Sequence, residues 1–125
     1  MNKLKINVDM VKQIITIDIL GILDTPSSLE YSNKLKEIFT GIETIEKRNM
    51  RDWRINIYTC HLILEEHAAP MERLLDTCMS QNPKMLDIIT QKPQKKYKEW
   101  LVEIISRKYN DKKVKVLATN NMPKF

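Results

Sequence analysis

The apolar positions of this chain follow two periods, and the switches between them mark its elements. Leu4, Ile6 and Val8 alternate with Lys3, Lys5 and Asn7, which is the period of a half-buried strand. Ile15, Ile17 and Ile19 alternate with Thr16 and Asp18, and the apolar run reaches Leu23 before Asp24 and Pro26 stop it. The short segment 9–13 allows these two strands to form an antiparallel hairpin. The period then becomes helical. Tyr31, Leu35, Ile38 and Ile42 recur at three and four residues, predicting a helix over 26–40. Its start has two solutions: Thr25 is the N-cap with Pro26 at the first helical position, or Ser27 and Glu30 form a capping box. Gly41 is placed to end the helix in the left-handed conformation, with Ile42 packing back onto it.

The second half is less uniform. Residues 43–52 are mostly charged and read as an exposed connection or a helical extension. Residues 53–64, WRINIYTCHLIL, fit both periods. Ile55 and Ile57 alternate as in a strand, and Cys60, Leu62 and Leu64 continue in the opposite phase. Trp53, Ile57, Cys60, Leu64 and Met71 also share a helical face. β-branched and aromatic content favours a buried strand over 55–59, with a helix running to 67 as the alternative. Pro70 suits the first turn of a helix over 70–80 with the stripe Met71, Leu74, Leu75, Cys78 and Met79. Residues 85–90 fit a short helix or a strand equally. Tyr97, Leu101, Ile104, Ile105 and Lys108 define a helix over 94–109, and Val114, Val116 and Ala118 a last short strand. The expected fold is α/β, or α+β: a single small domain over 1–118 with a mixed sheet of about four strands packed against three helices. Residues 119–125 read as a C-terminal tail.

Composition narrows the class. Only two glycines among 125 residues argue against a turn-rich all-β fold, and 42% hydrophobic content supports a real core. Cys60 and Cys78 show no CxxC spacing, and no apolar run is long enough to span a bilayer, which points to a reducing, cytoplasmic setting without membrane association. The net charge of +5 is unevenly placed. Residues 1–83 hold 10 Lys+Arg against 12 Asp+Glu, whereas residues 84–125 hold 11 against 4. A basic end of this kind attracts phosphates or an acidic partner, or serves solubility alone.

Three groups of residues invite chemistry. Thr25, Ser27 and Ser28 stand where a strand gives way to a helix N-terminus, whose free N–H groups and dipole favour an anion; helix capping explains the same residues. Cys60, His61, Glu65, Glu66, His67 and Cys78 offer metal-ligating types without HExxH or paired CxxC spacing, so no metal or cofactor is expected. Lys95, Lys96, Lys98, Arg107, Lys112, Lys113 and Lys115, interleaved with Tyr97, Trp100 and Tyr109, form a candidate nucleic-acid surface in which lysines meet phosphates and an aromatic such as Trp100 stacks on a base. The alternative places those aromatics in the buried stripe of the helix. The carboxylates Asp18, Asp24 and Asp76 are scattered.

Within residues 14–39, ITIDILGILDTPSSLEYSNKLKEIF resembles the opening of STAS domains, the sulfate-transporter and anti-sigma-factor-antagonist family, in which a strand ending in Gly-x-Leu-Asp precedes the first helix. Here those residues are Gly21, Ile22, Leu23 and Asp24. The resemblance implies a mixed sheet backed by helices and a protein partner, often with a phosphorylation switch at a later strand-to-helix turn. At the corresponding place this chain has Tyr58, Thr59 and Cys60 instead of an Asp-Ser-Ser/Gly turn. The balance of the residues favours a non-enzymatic regulatory or assembly module that binds a protein partner. The alternative is a nucleic-acid-binding protein that uses the basic region 92–115.

Overall fold

A run of alternating isoleucines makes the strand on which the sheet is built. The computed structural model describes residues 5–63, 69–91, 95–109 and 113–119. Strands β1 (Lys5–Asp9) and β2 (Ile14–Ile22) form the antiparallel hairpin. Its turn is held by the Asp9 carboxylate, which accepts from the Val11 and Lys12 backbone N–H groups. β3 (Arg54–Ile63), β4 (Met85–Gln91) and β5 (Val114–Thr119) then add in parallel, so the sheet order is β1-β2-β3-β4-β5. The crossovers carry helices α1 (Thr25–Thr40), α2 (Ala69–Met79) and α3 (Lys95–Lys108). Parallel crossovers are right-handed, and a sheet that grows in one direction therefore receives all three helices on the same side.

Burial follows that geometry. Register places Val8, Ile15, Ile55, Leu86 and Val114 in one cross-strand row and Ile6, Ile17, Ile57, Ile88 and Val116 in the next. These side chains, all buried or half-buried, meet Tyr31, Leu35, Leu74, Leu75, Leu101 and Ile104 from the helices. The opposite phase, Asn7, Thr16, Asn56, Asp87 and Lys115, is more exposed throughout. An α/β domain with three helices and a mixed sheet is thus what the chain forms. The sheet has five strands, because 85–90 resolves as a strand: Leu86 and Ile88 are buried while Asp87 and Ile89 are only half-buried, a period of two.

The segment with two readings is also a strand, longer than 55–59. Asp18 pairs with Tyr58 but Leu20 pairs with His61, so β3 gains one residue relative to β2. A bulge of this sort turns the side-chain alternation over. It accounts for the sequence pattern in which Ile55 and Ile57 share one phase and Cys60 and Leu62 the other. Beyond the bulge β3 parts from β4, whose pairing with it ends at Tyr58↔Ile89. The buried Thr59 hydroxyl reaches across to the Ile89 carbonyl oxygen at 3.1 Å.

Gly41 does not end α1. It keeps helical angles, φ −60° and ψ −43°, and the chain continues through a π-helical turn over Gly41–Ile45. The left-handed residue that closes the helix is Lys47, at φ 54°. The Arg48 N–H bonds back to the Ile42 carbonyl oxygen six positions earlier, which satisfies a carbonyl that the helix end would otherwise leave without a partner. Ile42 is buried as expected. The charged segment 43–52 also hides an anchor: Met50, in a short 3-10 turn over Met50–Asp52, is fully buried, as is Trp53 directly after it. Burying two such side chains contributes about 2–3 kcal/mol each before entropy is counted. At the C-terminal end, β5 includes Thr119, so residue 119 belongs to the sheet, and the rest of the expected tail, 120–125, lies outside the described residues.

Candidate functional site

The β2–α1 turn is built around a capping box that starts at Asp24, one residue before Thr25 and three before Ser27, the two starts read from the sequence. Gly21 adopts φ 71°, a left-handed backbone that an L side chain strains. Leu23 is buried and Asp24 is the N-cap. The Ser27 N–H donates to Asp24 Oδ1 at 2.9 Å, and Ser27 Oγ accepts from the Asp24 N–H at 3.0 Å. Thr25 therefore opens the helix rather than capping it, Pro26 follows it, and the reciprocal partner is Ser27 instead of Glu30. Asp24 wins because its carboxylate reaches the orphan N–H groups directly. The Ser27 backbone N–H and then its hydroxyl hold the Asp24 carboxyl below the usual carboxylate range. At this N-terminus the fold supplies its own negative charge.

Ser28 has a different task. It is fully buried, and its hydroxyl donates to the Pro70 carbonyl oxygen in α2 at 2.8 Å. One turn on, Thr77 Oγ1 meets Ser32 Oγ at 3.0 Å, so small hydroxyl residues let α1 and α2 approach closely. Tyr31 ties α1 to the sheet through its hydroxyl on the Asp18 carbonyl oxygen at 2.8 Å. Of the three anion-binding candidates, Thr25 alone is exposed.

The basic candidates do not share one surface. Lys95 opens α3, Lys96 and Arg107 are exposed on it, and Lys98 and Trp100 are half-buried. Trp100 and Tyr109 pack against the core cluster. Lys115 occupies the β5 phase opposite Val114 and Val116, the two residues that meet the helix layer, so it stands across the sheet from α3. Lys113 precedes β5 and its ammonium donates to Asn82 Oδ1 at 2.8 Å. Lys112 lies outside the described residues. Near the end of α3, Lys108 Nζ pairs with Asp76 Oδ2 at 2.7 Å and Glu72 at 3.7 Å, and the Tyr109 hydroxyl donates to Asp76 Oδ1. Burial first, and then the Asp76 bond, push the Tyr109 phenol up; the Asp76 bond is the main cause of the upward shift of Lys108. This cluster clamps α2 to α3.

The metal-ligating types are dispersed. Cys60 and His61 are in β3, residues 65–67 lie outside the described residues, and Cys78 is buried in α2 with its thiol pushed up to about 12 by burial. Among the described residues no three His, Cys, Asp or Glu side chains group closely enough for a metal ion. Asp18, Asp24 and Asp76 serve separate elements. Tyr58, Thr59 and Cys60, set by the STAS resemblance beside a strand-to-helix turn, are inside β3, which runs on to Ile63. The connection that follows lies outside the described residues. No described helix is long and apolar enough to cross a membrane.

One concave feature had no counterpart in the sequence pattern. At the strand-start edge, between the end of α1 with its π-helical turn and the end of α2, a cleft of about 690 Å³ is lined by Glu43, Lys47, Arg48, Asn49, Arg51, Ser80, Gln81 and Asn82. Its residues come from two distant segments that the β3 crossover brings together, so no window of the chain displays them. No protein-family model and no curated protein sequence matches this chain.

Proposed function

We propose that this chain is a non-enzymatic, STAS-like regulatory or assembly module that binds a protein partner. The observation that carries the reading is the β2–α1 turn. Gly21 supplies the left-handed backbone, Leu23 enters the core and Asp24 caps the helix, so the residues of the Gly-x-Leu-Asp motif each perform a task that a strand-to-helix turn requires. They do so in a mixed sheet backed by helices, the architecture the resemblance implies. A second support is the use of the chemistry-bearing side chains. Asp24, Ser27, Ser28, Asp76 and Tyr109 hold elements together, and work done at an outer surface leaves such groups free for that purpose. A partner interface draws its affinity mainly from desolvated apolar anchors, with rim charges setting the association rate.

The test is affinity capture from native extract with and without nuclease, followed by reconstitution from purified components. A protein partner is expected to persist after nuclease treatment and to tolerate Gln at Lys95, Lys96, Lys98, Lys112 and Lys113. A complex that vanishes with nuclease, or with those five substitutions, would favour nucleic-acid binding through the basic region instead.

A further inference from the structure

We propose that the cleft at the strand-start edge is a binding site for a small phosphate-bearing anion, held by Lys47, Arg48 and Arg51 and by the carboxamide N–H groups of Asn49 and Asn82. This goes beyond the partner-binding reading and does not depend on it.

The wall of the cleft is rich in donors for reasons visible in its own bonding. The Asn49 carboxamide oxygen accepts from the Arg51 N–H at 3.0 Å and from Arg51 Nε at 3.4 Å. The Asn82 carboxamide oxygen accepts from Lys113 Nζ at 2.8 Å. Both amides thus have their acceptor ends engaged and keep their NH₂ ends for a ligand. Arg48 uses Nη1 on the Met10 carbonyl oxygen at 2.6 Å, which fixes the guanidinium while leaving most of its donors for other partners. Among the described residues none of Lys47, Arg48 and Arg51 forms an ion pair.

Charge decides the class of ligand. Among the described lining residues three cations stand against one carboxylate, Glu43. The end of α2 adds a negative pole of about half a charge, and its last carbonyl groups are already met by the N–H groups of Ser80, Gln81 and Asn82. The balance stays positive, and guanidinium forks suit the geometry of phosphate oxygens. Among the described residues no aromatic side chain lines the cleft, and the stacking platform typical of single-stranded nucleic acid is not found among them. The cleft is open and broad enough to admit a compact oligophosphate. Two lining residues, Lys47 and Asn82, hold left-handed backbone at φ 54° and 50°, which aims their side chains from fixed turns.

The experiment is calorimetric titration of the purified chain with inorganic tripolyphosphate at low and at physiological ionic strength. A parallel titration uses a short single-stranded oligonucleotide. Binding of tripolyphosphate is expected. The double variant Lys47→Asn, Arg51→Gln should weaken it about a hundredfold, the effect of losing two charge-assisted hydrogen bonds. Asn tolerates the left-handed backbone at 47, so the variant should fold, and its thermal unfolding checks that. Lys96→Gln with Lys115→Gln removes the same charge elsewhere and should leave affinity within about twofold, the change expected from screened, distant charge. Backbone amide shifts in the unaltered chain give a second readout, expected around 47–51 and 80–82. Equal weakening by both double variants, no heat at low ionic strength, or binding of the oligonucleotide alone would each overturn the proposal.

Discussion

The Ser28 hydroxyl and the Pro70 carbonyl oxygen, 42 positions apart in the chain, are joined by a buried 2.8 Å hydrogen bond that links α1 to the first turn of α2. Ser28→Ala removes this bond while the Pro70 carbonyl keeps its place in the α2 ladder, which should lower stability by about 0.5–1.5 kcal/mol. Ser27→Ala breaks the capping box and should cost about 1 kcal/mol. Urea unfolding is expected to show both as lower midpoints with unchanged slope. A Ser28→Ala midpoint equal to that of the unaltered chain would show that the helix seam does not need this bond.

Helix ending gives two substitutions of the same sign for opposite reasons. Gly41 is helical, and a Cβ built on it meets nothing within 4 Å, so Gly41→Ala should stabilise by about 0.5–1 kcal/mol. Lys47 holds the left-handed ending, and Lys47→Gly should also stabilise, by about 1 kcal/mol. Were Gly41 the left-handed residue, Ala there would destabilise. Differential scanning calorimetry of the two variants distinguishes the cases.

Alkaline pH should loosen the α2–α3 clamp. Tyr109 is raised above its ordinary 10.0 by burial and then by Asp76, and Lys108 above its ordinary 10.5 chiefly by the Asp76 bond. Groups raised on folding stabilise fully below their unfolded values and lose that contribution as pH climbs toward the folded ones. The melting temperature should therefore fall above a pH of about 10, and less steeply in Tyr109→Phe or Asp76→Asn than in the unaltered chain. Parallel slopes in all three would detach the cluster from the alkaline transition.

Cys78 should resist alkylation in the folded chain. Its thiol is pushed up from 9.0 to about 12 by burial, which lowers the thiolate population on the order of a thousandfold at neutral pH. Reaction with iodoacetamide, followed at this residue by peptide mass spectrometry, is expected to proceed only through unfolding and to accelerate across the urea transition. Labelling in native buffer at the rate of a free thiol would contradict the buried assignment.

Strong periods were legible from residues alone. The alternation of Ile15, Ile17 and Ile19 and the stripe of Met71, Leu74, Leu75 and Cys78 name their elements because each side chain's burial depends only on its own element's period. The bulge in β3 was visible as a phase reversal between Ile57 and Cys60, but a reversal in one strand also imitates a helical face, and only the register against β2 separates the two. Ser28 read as a cap because serine at a helix start usually is one; its partner, Pro70, is supplied by tertiary packing. Met50 was hidden among charges, since a single buried anchor has no period. The cleft was the least legible feature, as residues near 47–51 and 80–82 become neighbours only through the β3 crossover.

The strands stand in the sheet in the order in which they are translated. Each newly made strand finds its neighbour already complete, and the loop to be closed is one crossover long, so the entropic cost of closure is small and repeated instead of large and deferred. The same arrangement leaves the most recently finished strand as an open edge at every stage, β5 included. For the nascent chain, finding the right partner is the easy part, and the hazard is the interval during which that growing edge can pair with another molecule.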